Sequence, residues 1–176
     1  MKRHSLLLLL PALLAGTVRP AQAASEAGKS FVVIETGFDH DCEALVLRHL
    51  HNAHKEIRAA MFEYTKKSFA DALGERARQG VDVRIKLDAH EAEFEYTRAL
   101  IREMQAARIK IDLIKMPGET KMHHKFAVID SQFVVTGSYN WTKRAGEANW
   151  ENVVVIDSPS LAERFLSEWD RISGKR

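Results

Sequence analysis

The sequence predicts an α/β domain, a mixed β-sheet flanked by helices on both faces. Three observations carry this expectation. Short strand-like runs alternate with amphipathic helical stretches through the first two thirds of the chain, which favours parallel strands joined by right-handed crossovers. Two later apolar runs are separated only by Asp130-Ser131-Gln132, a connection that allows only an antiparallel pair. The 176 residues, 45% hydrophobic and 28% charged, suffice for one sizeable core and are too apolar for a disordered chain.

The amino terminus is a separate object. Lys2, Arg3 and His4 precede an apolar run from Leu6 to Ala15, broken by Pro11, and Ala21-Gln22-Ala23 supplies the small residues of a cleavage site. Residues 1–23 are therefore expected to be a secretory signal, and residues 24–176 one domain, periplasmic or secreted. No later apolar run has the length of a bilayer span, so no stable membrane insertion is expected after cleavage. Removing the signal takes Lys2, Arg3 and Arg19 and no acid, leaving 23 basic against 24 acidic residues. Overall basicity thus gives no pointer to nucleic acid, and any attraction for phosphate must be local. Cys42 is the single cysteine, which excludes an internal disulfide and leaves a small, partly buried residue as the simplest reading.

Residues 24–30 read as a leader and Phe31 to Ile34 as the first strand. Val46, Leu50 and Ala53 at helical spacing predict a helix from about Asp41 to His54, followed by a strand from Ile57 to Phe62. Ser68 is the expected cap of a helix presenting Phe69, Ala72, Leu73 and Ala77, with Gly80 as its stop. Val81 to Leu87 alternates as a strand, Ala92 to Ala107 reads as a helix, and Ile109, Ile111 and Leu113 alternate again. Met116-Pro117-Gly118 turns the chain. Strands are expected over 123–129, 133–137 and 151–156, and a last helix from Ser158 or Ser160 bears Leu161, Phe165, Trp169 and Ile172.

The chemistry-bearing segment runs from Met122 to Asn152. Strand alternation sets His123 and Lys125 on one face, and the same spacing sets Ser138 and Asn140 on a common side of extended chain. Glu151 opens the final strand. Each is ordinary alone: a lone His is usually a surface or satisfied core residue, and Gly-Ser-x-Asn is usually a turn. The combination resembles the signature of the phospholipase D superfamily, His-x-Lys-x4-Asp-x6-Gly-Ser-x-Asn followed closely by Glu. Seven fixed residues match by chance on the order of once in 10⁹ starting positions. Residues 78–88 resemble the strand-entry segment common before that signature, and Asn140-Trp141-Thr142 and Asn149-Trp150-Glu151-Asn152 are similar to the small bacterial endonucleases of the superfamily.

The resemblance implies a mixed sheet with helices, one signature per chain, and a homodimer with a shared active site. It implies His123 as the nucleophile on phosphorus, with the partner's copy protonating the leaving oxygen. Lys125 and Asn140 would neutralise the non-bridging oxygens, with Ser138 as a supporting donor, and Glu151 would fix the imidazole tautomer. Asp130, on the opposite strand parity from His123, reads as a structural part of the signature, and His124 as a bystander. No cofactor and no metal are implied, since a Lys beside the candidate His repels a cation. Residues 115–144 carry Lys115, Lys121, Lys125, Lys143 and Arg144 against Glu119 and Asp130, a local excess of +3. Lys121, Lys143 and Arg144 are thus the candidate substrate-binding residues for a nucleic-acid backbone. The expected activity is a metal-independent, non-specific endonuclease acting on DNA or RNA. A phospholipase D-type hydrolase of anionic phospholipids is the alternative, disfavoured by the lack of an amphipathic helix with exposed aromatics. A non-catalytic nucleic-acid-binding module is the third reading, opposed by the intact His, Lys, Asn and Glu.

Overall fold

The computed structural model describes residues 32–173; the expected signal and leader lie outside the described residues. Among the described residues seven strands form one sheet: β1 (Val33–Phe38), β2 (Glu56–Met61), β3 (Asp82–Asp88), β4 (Lys110–Ile114), β5 (Lys125–Ile129), β6 (Phe133–Gly137) and β7 (Asn152–Asp157). The helices are α1 (Asp41–His51), α2 (Lys67–Arg78), α3 (Glu95–Ala106), the short α4 (Lys143–Glu147) and α5 (Pro159–Arg171). The mixed sheet with helices on both faces is the architecture the sequence predicts, in the order β1-β7-β6-β5-β2-β3-β4.

The neighbours differ from a simple run of crossovers. Only β2, β3 and β4 lie side by side in parallel. β1 sits at the far edge, antiparallel to β7, because the β5–β6–β7 meander occupies the place beside β2. This pairing also corrects the first strand. Its ladder runs from Val33 opposite Asp157 to Phe38 opposite Asn152, rather than over the apolar run that begins at Phe31.

Local chemistry explains the other shifted boundaries. α1 ends at His51, the N–H groups of Asn52 and Ala53 close its last turn on Arg48 and Leu50, and those of His54, Lys55 and Glu56 then donate to the Asp130 carboxylate at 2.9, 2.7 and 3.0 Å. Asp130 and Ser131 have φ of 55° and 54°, the left-handed geometry of a tight hairpin turn. Ser68 does not cap α2, which begins one residue earlier; its hydroxyl donates to Glu43 at 2.6 Å and ties α2 to α1. α3 begins only at Glu95, since extended Phe94 separates it from a 3-10 turn at Glu91–Glu93. Ser158 does cap α5, accepting from the N–H of Leu161 at 3.3 Å.

Alternation divides the core. Ala59, Ala127 and Ile129 face α1, α2 and α3, where Val46, Leu50, Phe69, Leu73 and Met104 pack. Ala60, Phe126, Val128 and Val134 face Ala162 and Trp169 of α5. α5 is pinned by a buried lysine. Lys86 Nζ donates to the carbonyls of Trp169 and Ile172 at 2.7 and 3.0 Å, satisfying the negative end of the helix, and lies 4.0 Å from the Trp169 ring centre. Cys42 is fully buried, and burial beside Glu151, Asp39 and Asp41 pushes its thiol up to about 11. No helix among the described residues is long and apolar enough to cross a membrane.

The topology gathers the functional segments. The carboxyl ends of β1, β2, β3, β4 and β6 and the amino ends of β5 and β7 all fall at one end of the sheet.

Candidate active site

At that end β5 begins at Lys125, so His123 lies just before the strand rather than within it. The two still share a side. The Phe62 N–H donates to the His124 carbonyl at 2.9 Å, continuing the β2–β5 pairing past the last ladder pair and keeping the chain extended. Lys125 Nζ lies 3.5 and 3.4 Å from the two ring nitrogens of His123 and donates to the His123 carbonyl at 3.2 Å.

Phe62 is the floor beneath them. Its ring centre is 4.6 Å from that of His123, and Lys121 and Lys125 place their ammonium groups 4.9 and 5.3 Å from it. Asp88, 3% exposed at the end of β3, holds this segment from the other side. One of its oxygens accepts from the Met122 N–H at 2.8 Å, the other from the N–H groups of His90 and Glu91 at 3.0 and 3.3 Å.

Asn140 arrives from the opposite flank. The Trp141 carbonyl accepts from the N–H groups of Thr65 and Lys66, both at 2.9 Å, and the Trp141 ring stacks on Phe69 at 4.7 Å. Asn140 is thereby set against Glu63: its Nδ2 is 3.4 Å from the carboxylate, and its Oδ1 faces the Glu63 N–H at 3.5 Å. Ser138 does not share that partner. Its hydroxyl donates to Glu151 and accepts from the Asn152 N–H at 3.1 Å.

Glu151 is buried and doubly fixed. Asn149 Nδ2 donates to it at 3.0 Å, and Asp39 brackets its backbone, accepting from the Glu151 N–H at 3.0 Å and donating to the Glu151 carbonyl at 2.9 Å. Glu151 forms no hydrogen bond with His123 among the described residues, so the expected tautomer-setting contact is not made within the chain. Asp130 sits at the other end of β5, wholly engaged by backbone. Lys143 and Arg144 are exposed on α4, which Thr142 caps by accepting from the Ala145 N–H at 3.1 Å.

The electrostatics favour a neutral imidazole. Burial first, and then the positive charges of Lys125 and Lys121, hold His123 below the ordinary histidine value, with Glu63 and Asp88 pulling weakly the other way. Burial also lowers Lys125, opposed by Glu63 and Glu151. Burial and neighbouring Glu63 raise Glu91. An uncharged ring nitrogen beside an ammonium is an arrangement that attacks an electrophile and steadies oxyanions. Among the described residues no three His, Cys, Asp or Glu side chains converge as a metal site.

Phe62, Glu63, Asp88 and Glu91 were not singled out by the sequence. They come from other strands and loops, and only the β2–β5 register and the β3 end bring them to His123. Two aromatic residues are exposed at this end, Trp150 at 92% and Phe38 at 60%, and neither lies on a helix.

The family described as "Cardiolipin synthase, PLD-like domain" matches residues 46–173. A Phospholipase D of Rickettsia conorii is 32% identical over 128 residues, covering 73% of this chain and 62% of its own length. A Mitochondrial cardiolipin hydrolase of Chlamydomonas reinhardtii is 33% identical over 126 residues, covering 72% of this chain and 55% of its own length. The chain thus spans about three fifths of these curated relatives. The crystal structure of Nuc, a phospholipase D family member from Salmonella typhimurium, superposes with a TM-score of 0.76 at 29% identity, covering 81% of this chain and 94% of that one. NucT from Helicobacter pylori shares the fold, with a TM-score of 0.70 at 21% identity over 80% of this chain and 96% of that one.

Proposed function

This chain belongs to the phospholipase D superfamily, and we propose that it is a metal-independent phosphodiesterase that hydrolyses nucleic acid through a phosphohistidine at His123. The observation that carries the reading is the His123 ring with Lys125 Nζ 3.4 Å away, at an exposed end of the sheet.

In the first step a ring nitrogen of neutral His123 gives its lone pair to phosphorus. The bond from phosphorus to the leaving oxygen breaks, and that oxygen takes a proton from a protonated imidazole on the far side. In the second step water attacks phosphorus, its proton passes to the now neutral second imidazole, and the P–N bond breaks. Lys125 and the free Nδ2 hydrogen of Asn140 bear on the non-bridging oxygens as charge develops. One chain supplies one such His, so a second copy supplies the other by two-fold symmetry.

The substrate reading rests on the basic residues around the site, on the resemblance to small bacterial endonucleases, and on the superposition with Nuc over 94% of that chain. Exposed Trp150 beside Glu151, together with the names of the curated relatives, favours the second reading, a phospholipid headgroup. One assay separates them. With excess chelator, the purified protein should nick plasmid DNA and leave anionic phospholipid vesicles intact. Release of headgroup or phosphatidic acid without nicking would establish the lipid reading, and activity lost to chelator and restored by one divalent ion would sink the phosphohistidine route.

The pH profile gives a separate check. Activity should rise as pH climbs through the value of the nucleophilic His123, which its surroundings hold below the ordinary histidine range. Lys121 is one cause of that depression. Lys121→Gln removes a positive charge, makes protonation easier and should move the acid limb of kcat/KM to higher pH. A limb that stays in place or moves down would contradict the assignment of that limb to His123.

A further inference from the structure

Two cavities, of about 540 and 670 Å³, open beside the site on the α5 face. Both are lined by His123, His124, Glu168 and Arg171, so they adjoin as one groove. The His124 ring and the Glu168 carboxylate, 3.5 Å apart, lie where they meet. One arm reaches Lys121 and Met116, and the other runs past Thr136 and Gly137 to Arg164.

The helical face explains the charge along this groove. Arg164, Glu168 and Arg171 are spaced by four and three residues and therefore share one side of α5. The two arginines are rooted about 10 Å apart along the helix axis. Glu168 is engaged by His124 and, at 3.3 Å, by Arg171. Arg164 is exposed and has no acidic partner among the described residues. The groove thus carries cations at both ends and one acid already committed in the middle.

We propose that this groove is a track for the phosphodiester backbone of a nucleic-acid strand, with Arg164 and Arg171 holding phosphates that flank the one at His123. The inference rests on the nuclease reading above and goes beyond it by naming where the strand runs. A headgroup with a single phosphate, bound at His123, offers nothing to Arg164. A polynucleotide presents phosphates in series and meets each cation in turn. None of the basic residues that the sequence singled out lies on α5, so the track is a product of the fold.

The test measures binding of a fluorescein-labelled oligonucleotide, between about 50 and 200 mM salt, on a His123→Asn background that prevents turnover. Arg164→Gln/Arg171→Gln should weaken binding about tenfold or more at the low end and reduce the salt slope by about 1 to 2. Arg78→Gln/Arg102→Gln, exposed positions on the opposite helical layer, removes the same charge and should leave both quantities within about twofold. With His123 restored, kcat/KM for the oligonucleotide should fall at least about tenfold further than that for bis(para-nitrophenyl) phosphate. Equal effects of the two double variants, or an unchanged slope in the α5 variant, would overturn the track and leave the nuclease reading standing. Weakened binding together with a shift to monomer on a sizing column would make the groove a contact between copies, and would also overturn it. A parent protein that neither binds nor cleaves the oligonucleotide would remove the nuclease reading and this inference with it.

Discussion

Gly137→Ala is expected to destabilise the fold by about 3 kcal/mol, lowering Tm by about 10 °C, and to take most of the activity with it. A Cβ at this position would stand 2.1 Å from the Asn152 carbonyl oxygen and 2.9 Å from its carbon, both backbone of the neighbouring strand β7. No rotamer relieves a backbone clash, so β6 and β7 must part at their site-facing ends. The next residue is Ser138, whose N–H donates to that same Asn152 carbonyl at 3.1 Å and whose hydroxyl donates to Glu151. Spreading the strands would therefore disturb Ser138 and Glu151 together, and displace the segment leading to Asn140. Thermal unfolding and turnover of the purified variant check this. A Tm within about 2 °C of the parent, with full activity, would show that the close approach of the strands is dispensable.

The second large effect is chemical rather than structural. His123→Asn should reduce kcat by about 10⁴-fold or more, because the amide offers no nucleophilic nitrogen and no titrating proton. Stability should change little, since His123 lies on the exposed end of the sheet and its main packing contact is the Phe62 ring. A folded variant that kept a tenth of parental turnover would exclude His123 as the nucleophile.

Much of the site was legible because its parts lie close in sequence. His123 and Lys125 meet through a spacing of two that survives even though His123 stands outside the strand. Gly137 and Ser138 are readable for the same reason: the signature fixes where β6 must end and touch β7. What could not be read comes from long-range register. Phe62 lies beneath His123 only because Met61 pairs with Lys125, and Asp88 reaches the Met122 N–H only because β3 ends beside that segment. A carboxylate or an aromatic at a strand end has no periodic signal to mark it.

The fold divides in the same way. Strand directions and helix faces follow from alternation and spacing, as with Phe69, Ala72 and Leu73 on α2. The strand order does not, because nothing local to Val33–Phe38 says that its partner is β7, more than a hundred residues away. The basic track on α5 stayed hidden because its arginines are ordinary surface residues until the helix docks against β5 and β6. Trp150 is the reverse case, an aromatic that the sequence treats as part of a motif and the structure leaves almost wholly exposed.

In the proposed reaction two copies of His123 act on one phosphodiester, one as nucleophile and one as acid. Mixing parent chains with an equal amount of His123→Asn chains, and letting them re-pair at random, tests it most directly. If both histidines are required, only parent–parent dimers work, and activity per total chain should fall to about a quarter of the unmixed parent. Activity near one half, or a fully active monomer, would mean that each chain holds a complete site and would contradict the shared-site account.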